Sequence, residues 1–150
     1  MVFQLGEGAS LVIVTSNGSH TVSIYDSGIA GLTSIASNVE YVLNLPSATS
    51  GGQVLWDTIG SDGQTGSSRT DDTSSLETTT INGFPVAGAG IGAANPDSDW
   101  NGSAAFPLPE LWDDKGHDIS GAAPGGTTSL DVLFTSQYDC FNVVANVVAQ

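Results

Sequence analysis

Acidic side chains give this chain its clearest capacity for chemistry. Asp62, Asp71 and Asp72 lie in the stretch GSDGQTGSSRTDDTSS, which contains no apolar residue. Calcium binds roughly six to eight oxygens from carboxylates, carbonyls and water, and a loop of Asp, Gly and Ser supplies such oxygens. We therefore name these three residues as candidate calcium ligands, and no other cofactor is expected. Their spacing does not match an EF-hand, and the alternative is a solvated loop whose Asp residues form Asx-turns.

Further carboxylates are spread along the chain on both sides of this stretch. They include Asp57, Asp97, Asp99, Asp113, Asp114 and Asp118. Two carboxylates a few ångström apart can hydrolyse a glycosidic bond. The sequence does not show that any two of these side chains converge, so it names no such pair.

Histidines and nucleophiles do not form a catalytic set in the sequence. His20 falls at an outward position of a strand, and His117 is next to Asp118, which could orient its imidazole. No Gly-x-Ser-x-Gly turn is present to expose a serine. Cys140 lies in an apolar run and is expected to be a small buried residue. We predict no catalytic residues and no enzymatic activity.

Tryptophans and a glycine-rich segment raise two further binding functions. Trp100 has polar neighbours and would stack on a sugar ring if exposed, so surface glycans are a candidate partner. Apolar neighbours favour core positions for Trp56 and Trp112. The segment AGAGIGA, residues 87–93, lacks a lysine and opens no predicted helix, which argues against phosphate binding.

The charge of the chain excludes two classes of partner. Arg69 and Lys115 are its only basic residues, against sixteen carboxylates, and the formal net charge is -14. Binding to nucleic acid depends largely on Lys and Arg contacts to phosphates, so no nucleic acid partner is expected. An anionic membrane surface is disfavoured for the same reason. An acidic surface instead favours solubility at high concentration.

Composition indicates a single β-rich domain. The chain has 150 residues, 39% of them hydrophobic, with 19 Gly and 33 Ser and Thr. This length is typical of one domain, and the abundance of turn-forming residues indicates short strands and little helix. We predict one β-sandwich domain over residues 1–150.

Hydrophobic patterns in the first half predict a series of strands. Leu11 to Thr15 is a continuous apolar run and is predicted to be a buried strand. A predicted turn at Ser16 to Ser19 joins it to an alternating strand at His20 to Asp26. Val22 and Ile24 share one face of this second strand. The next predicted strands are Val39 to Leu45, Gln53 to Ile59 and Leu76 to Ile81. Asn82-Gly83 favours a type I′ turn, and Pro85 places the return strand at a sheet edge.

The second half predicts a long connection and a closing hairpin. Ala87 to Asp118 has little periodicity and is predicted to be irregular, with one helical turn at Pro109 to Asp113. Thr127 to Thr135 and Cys140 to Ala149 are predicted to pair, with an apolar face at Phe141, Val143, Ala145, Val147 and Ala149. Without βαβ alternation, the whole pattern predicts an all-β, antiparallel β-sandwich that is jelly-roll-like.

The N-terminal sequence does not have the features of an export signal. MVFQLGEGASLVIV contains Glu7 and no Lys or Arg, and its apolar run is short and β-branched. No segment approaches the roughly eighteen apolar residues of a transmembrane helix. We expect neither a leader nor a membrane span.

The stretch LVIVTSNGSHTVSIYD, Leu11 to Asp26, resembles the opening of small phage virion proteins, in which a strand ending in Thr-Ser precedes an alternating strand that ends in an acidic residue. The resemblance covers about residues 5 to 50. It implies a structural virion protein, namely a capsid decoration or a head or tail component of a bacteriophage or archaeal virus. Such a protein assembles in the cell and is released by lysis, so its expected location is the virion and it needs no leader.

The C-terminal part, from LWDDKGHDIS to TTSLDVLFTSQYDCFNVVANVVAQ, is similar to the closing strands of β-sandwich domains on prokaryotic cell surfaces. In those domains an Asp-Cys pair follows a turn and starts the last strand. This similarity implies the alternative, an extracellular adhesin or filament subunit, in which Asn17 and Asn101 match the N-glycosylation pattern. A carbohydrate-binding module is the third candidate.

Of these, capsid decoration is favoured because nothing basic is present to face packaged DNA. The expected partners are other copies of the chain, as a homo-oligomer, and other virion proteins. The contacts are predicted at apolar edge strands and at the irregular arm Ala87 to Asp118.

Overall fold

The chain folds into two four-stranded antiparallel sheets that pack against each other. The computed structural model describes residues 12–15, 20–26, 37–61, 78–87, 112–136 and 142–150. Within these ranges there are eight strands and no helix, so none of the described segments could cross a membrane as a helix. The strands are β1 Val22–Asp26, β2 Ser37–Asn44, β3 Leu55–Ser61, β4 Thr78–Ile81, β5 Phe84–Ala87, β6 Trp112–Asp118, β7 Ser129–Ser136 and β8 Asn142–Ala149.

The order of the strands is that of a jelly roll. Sheet A has the order β1-β8-β3-β6 and sheet B the order β2-β7-β4-β5. The pairs β1–β8, β2–β7, β3–β6 and β4–β5 are nested, as in one long antiparallel hairpin that has been rolled up. Eight strands wound in this way into two packed sheets form a jelly roll, which confirms the predicted fold class.

The core lies between the two sheets. Trp56 of β3 is fully buried and its ring centroid lies 6.0 Å from that of Phe134 on β7, so these two side chains join sheet A to sheet B. The other buried members come from both sheets and from the turn after β6: Leu43, Val54, Ile81, Ile119, Ala122, Ala123, Leu130, Val132, Val143 and Val148. Burying side chains of this size supplies the main favourable free energy of folding.

Sheet B follows the alternation in the sequence. Val39, Tyr41 and Leu43 of the predicted strand lie on one side of β2 and pack in or against the core, while Val42 on the opposite side is 60% exposed. Asn82 and Gly83 both have positive φ, 51° and 77°, which confirms the type I′ turn between β4 and β5. β5, which carries Pro85, lies at the edge of sheet B as predicted.

The prediction of a buried N-terminal strand was wrong. Residues 12–15 have no regular secondary structure, and Ile13 and Val14 are 73% and 52% exposed. A run of β-branched residues has high strand propensity, but propensity does not provide a neighbouring strand to pair with. The predicted turn at 16–19 lies outside the described residues.

The predicted closing hairpin was also wrong. β7 pairs with β2 and β4 in sheet B, whereas β8 pairs with β1 and β3 in sheet A. The strands themselves were placed correctly, but β7 and β8 lie in different sheets, as do all consecutive strands here except β4 and β5, and a short connection does not reveal this.

Two strands of sheet A present the opposite faces from those predicted. On β1, Tyr25 packs against the core and donates a hydrogen bond from its hydroxyl to the carbonyl of Asn44, 2.8 Å away, while Ile24 is 55% exposed. On β8, Asn146 and Val148 are buried. A bulge opposite Ile59 and Gly60 adds one residue to β8, so Val143 joins the buried side despite its odd spacing.

The helical turn predicted at 109–113 was wrong for the part that the structure describes. Residues 112–118 form β6, the edge strand of sheet A, and residues 109–111 lie outside the described ranges. The sequence WDDKGHD is polar on both sides of the strand, so it shows no alternation. An edge strand tolerates such a sequence because its unpaired edge is open to solvent.

Candidate functional site

The outer surface of sheet A is apolar across three of its strands. The strand register places Val22 and Ile24 of β1 beside Ala149 and Val147 of β8, and these beside Leu55 and Asp57 of β3. Ile24 and Leu55 are 55% and 41% exposed. We call Val22, Ile24, Leu55, Ala145, Val147 and Ala149 the apolar face. A sheet whose outer side carries apolar residues in neighbouring strands is typical of an interaction surface.

A groove of about 380 Å³ opens at one side of this face. Its described lining is Leu55, Trp56, Asp57, Gly116, His117, Asp118, Val147 and Ala149. Gly116 of β6 pairs with Asp57 of β3, and a Cβ built on Gly116 would lie 3.9 Å from Cγ of Asp57. The missing side chain of Gly116 therefore leaves open space above the sheet beside the Asp57 carboxylate.

Asp57 is a partly buried carboxylate that lies beside a second carboxylate, Asp114. Burial is the main cause that raises its pKa from 3.8 to about 6, followed by the negative charge of Asp114 and a hydrogen bond with it, against smaller opposing effects from the Thr58 backbone and His117. Its Oδ1 atom is buried without a hydrogen-bond partner among the described residues. A buried acceptor without a partner is unfavourable, so Asp57 would gain from a donor.

Asp118, on the same groove, is fully engaged within the protein. Its Oδ2 accepts a hydrogen bond from Nε2 of Gln53 at 3.0 Å, and its Oδ1 accepts from the backbone N–H of Ser120 at 3.0 Å and from the Ser120 hydroxyl. These hydrogen bonds lower the pKa of Asp118. The two carboxylates of one groove therefore differ: Asp118 is satisfied by its neighbours, and Asp57 is not.

Two side-chain contacts beneath the groove link β3 to its neighbours β8 and β6. Nε1 of Trp56 donates a hydrogen bond to Oδ1 of the buried Asn146, 3.0 Å away, which links β3 to β8. On the other side, the His117 ring stacks on Trp56 with centroids 5.8 Å apart. Asp118, which the sequence placed beside His117, is hydrogen-bonded to Gln53 and Ser120, and consecutive residues of a strand point to opposite sides, with His117 on the Trp56 side.

Only some of the residues singled out in the sequence lie among the described residues. The candidate calcium ligands Asp62, Asp71 and Asp72 lie outside the described residues, as do Trp100, Cys140, Asn17 and Asn101. The described part of the chain contains no group of three or more His, Cys, Asp or Glu that could hold a metal ion. Trp56 is in the core, as predicted, and so is not a sugar-stacking residue.

The pairing of Asp57 with Asp114 was not found in the sequence. Asp114 is opposite Ile59 in the register of β3 and β6, so it is the diagonal neighbour of Asp57 on the same side of the sheet. Finding this pair requires β6 to be recognised as a strand and its register to be known. The sequence offers only the spacing of two between Asp114, Gly116 and Asp118, which places them on one side of β6 once that strand is known.

Comparison of the chain with protein-family models, with curated proteins and with solved structures gives no match. The function must therefore be argued from the apolar face and the groove themselves. Their chemistry is that of a contact surface with one under-satisfied carboxylate at its border.

Proposed function

We propose that this chain is a structural virion protein, a capsid decoration subunit that attaches in many copies to a viral shell. The observation that carries the proposal is the apolar face of sheet A. Its partners would be the shell protein beneath it and neighbouring copies beside it. Ile59 on this side is buried within the chain, but Ile24 and Leu55 are 55% and 41% exposed, and a partner that covers them would explain their apolar character.

The size of the apolar face favours repeated attachment over one strong contact. Three strands about 4.8 Å apart and five residues long at about 3.4 Å per residue give roughly 250 Å². A stable pairwise interface usually buries about 800 Å² on each partner. A contact through this face is therefore weak for one copy, and a shell that presents many equivalent sites would supply the necessary avidity.

The charge of the chain supports a position on the outside of the shell. With a net charge of -14 and two basic residues, the protein would be repelled by packaged nucleic acid. The same charge keeps unattached copies soluble at high concentration. Decoration is favoured over a head or tail component that faces DNA for this reason.

Residues 12–15 offer a second contact, between neighbouring copies. Val12, Ile13 and Val14 are 38%, 73% and 52% exposed, in a segment with strong strand propensity. Such a segment can add to the open edge of a sheet in an adjacent copy by backbone hydrogen bonds. This contact would link decoration subunits that are already held on the shell.

The experiment is to purify virus particles from the source culture on a density gradient and to quantify the chain in them by mass spectrometry. We expect it to band with the particles in tens of copies or more, while the isolated protein in light scattering is a monomer or small oligomer. Absence of the chain from the particles, together with its presence on purified cell envelopes, would refute the proposal and favour the alternative, an adhesin or filament subunit of the cell surface.

A further inference from the structure

The sequence predicts two strands joined by a turn near the N-terminus, and only the second is a strand in the structure. Residues 12–15, the described part of the first, have no regular secondary structure, whereas Val22–Asp26 forms β1 at the edge of sheet A. We propose that residues 12–15 pair as a strand with the open edge of β1 in a second copy of the chain. This deepens the second contact of the proposed function and rests on it for its role on the particle, whereas the pairing itself rests on the segment and the edge.

β1 presents backbone hydrogen-bonding groups along one edge. Just before β1 begins, Thr21 and Gln150 exchange both of their backbone hydrogen bonds, 2.7 and 3.0 Å long. Such positions alternate along an antiparallel pair, so the N–H and C=O groups of Val22 and Ile24 point away from β8. No strand of the described part of the chain pairs with that edge. An incoming strand would find these groups in the arrangement that a sheet requires.

The other three sheet edges carry features that oppose pairing. β5 contains Pro85, which lacks an N–H, and its pairing with β4 is irregular. β6 carries three aspartates and a lysine, and β2 carries Glu40 in its middle. Charges, prolines and bulges are the usual means by which proteins keep edge strands from pairing. In β1 the one charged residue, Asp26, is at the C-terminal end, so the edge at Val22 and Ile24 lacks this protection.

The N-terminal segment matches this edge in length and in character. Leu11 to Thr15 has five residues, as β1 has, and it contains no charge. Its described apolar residues, 12–14, are all exposed in one copy, and their type favours the extended conformation of a strand.

Pairing with β1 would bury apolar residues on both sides of the segment. Alternate residues of the added strand would lie beside Val22 and Ile24 and would extend the apolar face outward. The remaining residues would lie beside Tyr25, which is only partly buried at the inner side of the edge. A segment that is apolar on both sides suits this position better than an exposed one.

A second copy is the occupant that these observations favour. Within one copy, residues 12–15 form no bridge with β1 or with any other strand. Each copy carries both the segment and the edge, so two copies can exchange segments and form both contacts at once. Because the contact itself is uncharged, the net charge of -14 opposes it only through general repulsion, which salt screens. Higher salt should therefore strengthen the pairing.

The test is sedimentation velocity of the full chain from about 10 µM to about 1 mM, a range that suits an interface below the standard size. We expect monomers at the lowest concentration and dimers at the highest, with more dimer in roughly 1 M NaCl than in roughly 0.1 M. Amide hydrogen exchange at Val22 and Ile24 should slow as dimers form, because these N–H groups become hydrogen-bonded.

Two proline variants remove one side of the contact each. Ile13→Pro changes the segment, which belongs to no strand, and Ile24→Pro removes an N–H that points to the open edge, where proline is tolerated. Each should weaken dimerisation about tenfold or more, since backbone hydrogen bonds are lost. A mixture of the two should regain part of the association, because one variant keeps its segment intact and the other keeps its edge intact.

Val42→Pro is the matched control on sheet B. Leu45 donates its N–H to the carbonyl of Thr128 across the β2–β7 pair, so alternation places the N–H of Val42 at the open edge of β2. Val42 is 60% exposed, close to the 55% of Ile24. Val42→Pro should dimerise within about twofold of wild type. Circular dichroism checks that the variants fold, and Ile13→Pro, which lies outside the strands, decides the matter if a strand variant does not.

Monomers at every concentration, or dimers that Ile13→Pro leaves unchanged, would overturn the inference. So would slow exchange at Val22 and Ile24 that does not depend on concentration, because residues 12–15 would then pair with β1 of their own chain. The two proposals fail separately. If dimers form as expected but virus particles lack the chain, the edge contact remains and the virion function is refuted; if particles carry the chain but the isolated protein stays monomeric with fast exchange at both amides, only the edge contact is refuted.

Discussion

The outer surfaces of the two sheets differ although both cover the same core. On sheet B, polar residues dominate the outward positions of adjacent strands: Asn38, Glu40, Thr78, Thr80, Asp131 and Thr135. On sheet A, the corresponding positions carry the apolar face and the groove. Sheet B shows what a jelly-roll surface needs for solubility, so the departure on sheet A indicates a function beyond folding.

The polar groups of sheet B also differ from those of sheet A in how they are satisfied. The hydroxyls of Thr78 and Thr135 form a cross-strand hydrogen bond 2.5 Å long, and the Glu40 carboxyl is hydrogen-bonded with that of Asp131, which raises the pKa of Glu40. The Thr78–Thr135 pair is partly buried, whereas the Glu40 and Asp131 carboxyls are exposed to solvent. Asp57 on sheet A is half-buried beside the exposed Asp114, and electrostatic effects are larger there.

The largest expected effect is on attachment to the particle, and a matched pair of residues tests it. Ile24 on the apolar face and Val42 on sheet B are 55% and 60% exposed on the first strands of their sheets. Ile24→Ser should weaken binding to purified undecorated particles about tenfold to a hundredfold, because an isoleucine buried in a contact contributes about 1.5–3 kcal/mol.

The control Val42→Ser should bind within about twofold of wild type. Co-sedimentation of each variant with particles measures the difference, and circular dichroism checks that both are folded. Equal loss of binding in the two variants would mean that the apolar face of sheet A has no special role.

A smaller effect is expected on stability at Asp57. The folded-state pKa of about 6 lies above the ordinary 3.8, so this carboxyl stabilises the fold below pH 3.8, and that contribution is lost as the pH rises through 6. The shift corresponds to about 3 kcal/mol at most, which half-burial reduces to about 1–2 kcal/mol. Asp57→Asn should therefore be more stable than wild type by about 1–2 kcal/mol at pH 8 and equally stable near pH 4.

Urea unfolding at the two pH values measures this gain. Asp118→Asn should behave in the opposite way. The pKa of Asp118 is lowered in the folded protein, so its carboxylate stabilises the fold at pH values above its unfolded-state pKa. The variant should be less stable than wild type at pH 8. If both variants gained stability at pH 8, the contrast between the two groove carboxylates would be wrong.

Filling the groove should stabilise the fold. Gly116→Val places a Cβ at an ordinary contact distance of 3.9 Å from Cγ of Asp57 and should stabilise the strand by about 0.5–1 kcal/mol. Urea unfolding measures this gain. A Gly116→Val variant that is less stable than wild type would contradict the open space beside Asp57.

The smallest effect is expected on sheet B. Glu40→Gln removes one charge of the exposed pair with Asp131 that raises the pKa of Glu40, and should raise the thermal midpoint at pH 7 by less than Asp57→Asn does. Attachment to particles should not change. A gain larger than that of Asp57→Asn would show that burial does not distinguish the two carboxylate pairs.

Sequence patterns were sufficient for the inward face of β2, for the turn between β4 and β5 and for the fold class, but not for the pairing of β7. Val39, Tyr41 and Leu43 alternate with polar residues, except for Val42, so the period of two identifies their inward face. Asn82-Gly83 fixed one hairpin because only a few residues adopt positive φ easily.

The faces of sheet A could not be assigned in the same way. Val22 and Ile24 compete with Tyr25 for the core, and Val147 and Ala149 compete with Val148, because both sides of these strands are apolar. The apolar side that faces outward is the side to which we assign the proposed contact, so the residues that misled the prediction are also the residues that motivate the proposal.

The groove could not be derived without the register of β3 and β6. Asp57 and Asp114 are far apart in sequence, and Trp112 to Asp118 lacks the alternation that identifies a strand. Pairing of distant strands depends on the whole topology, which a local pattern does not contain.

Hydroxyl-radical footprinting of the chain, free and bound to particles, tests most directly whether the apolar face is the docking surface. We expect Ile24 and Leu55 to lose most of their reactivity on binding, while Val42 keeps the reactivity it has in the free protein. Protection of Val42 with Ile24 and Leu55 still reactive would contradict the assignment of the contact to sheet A.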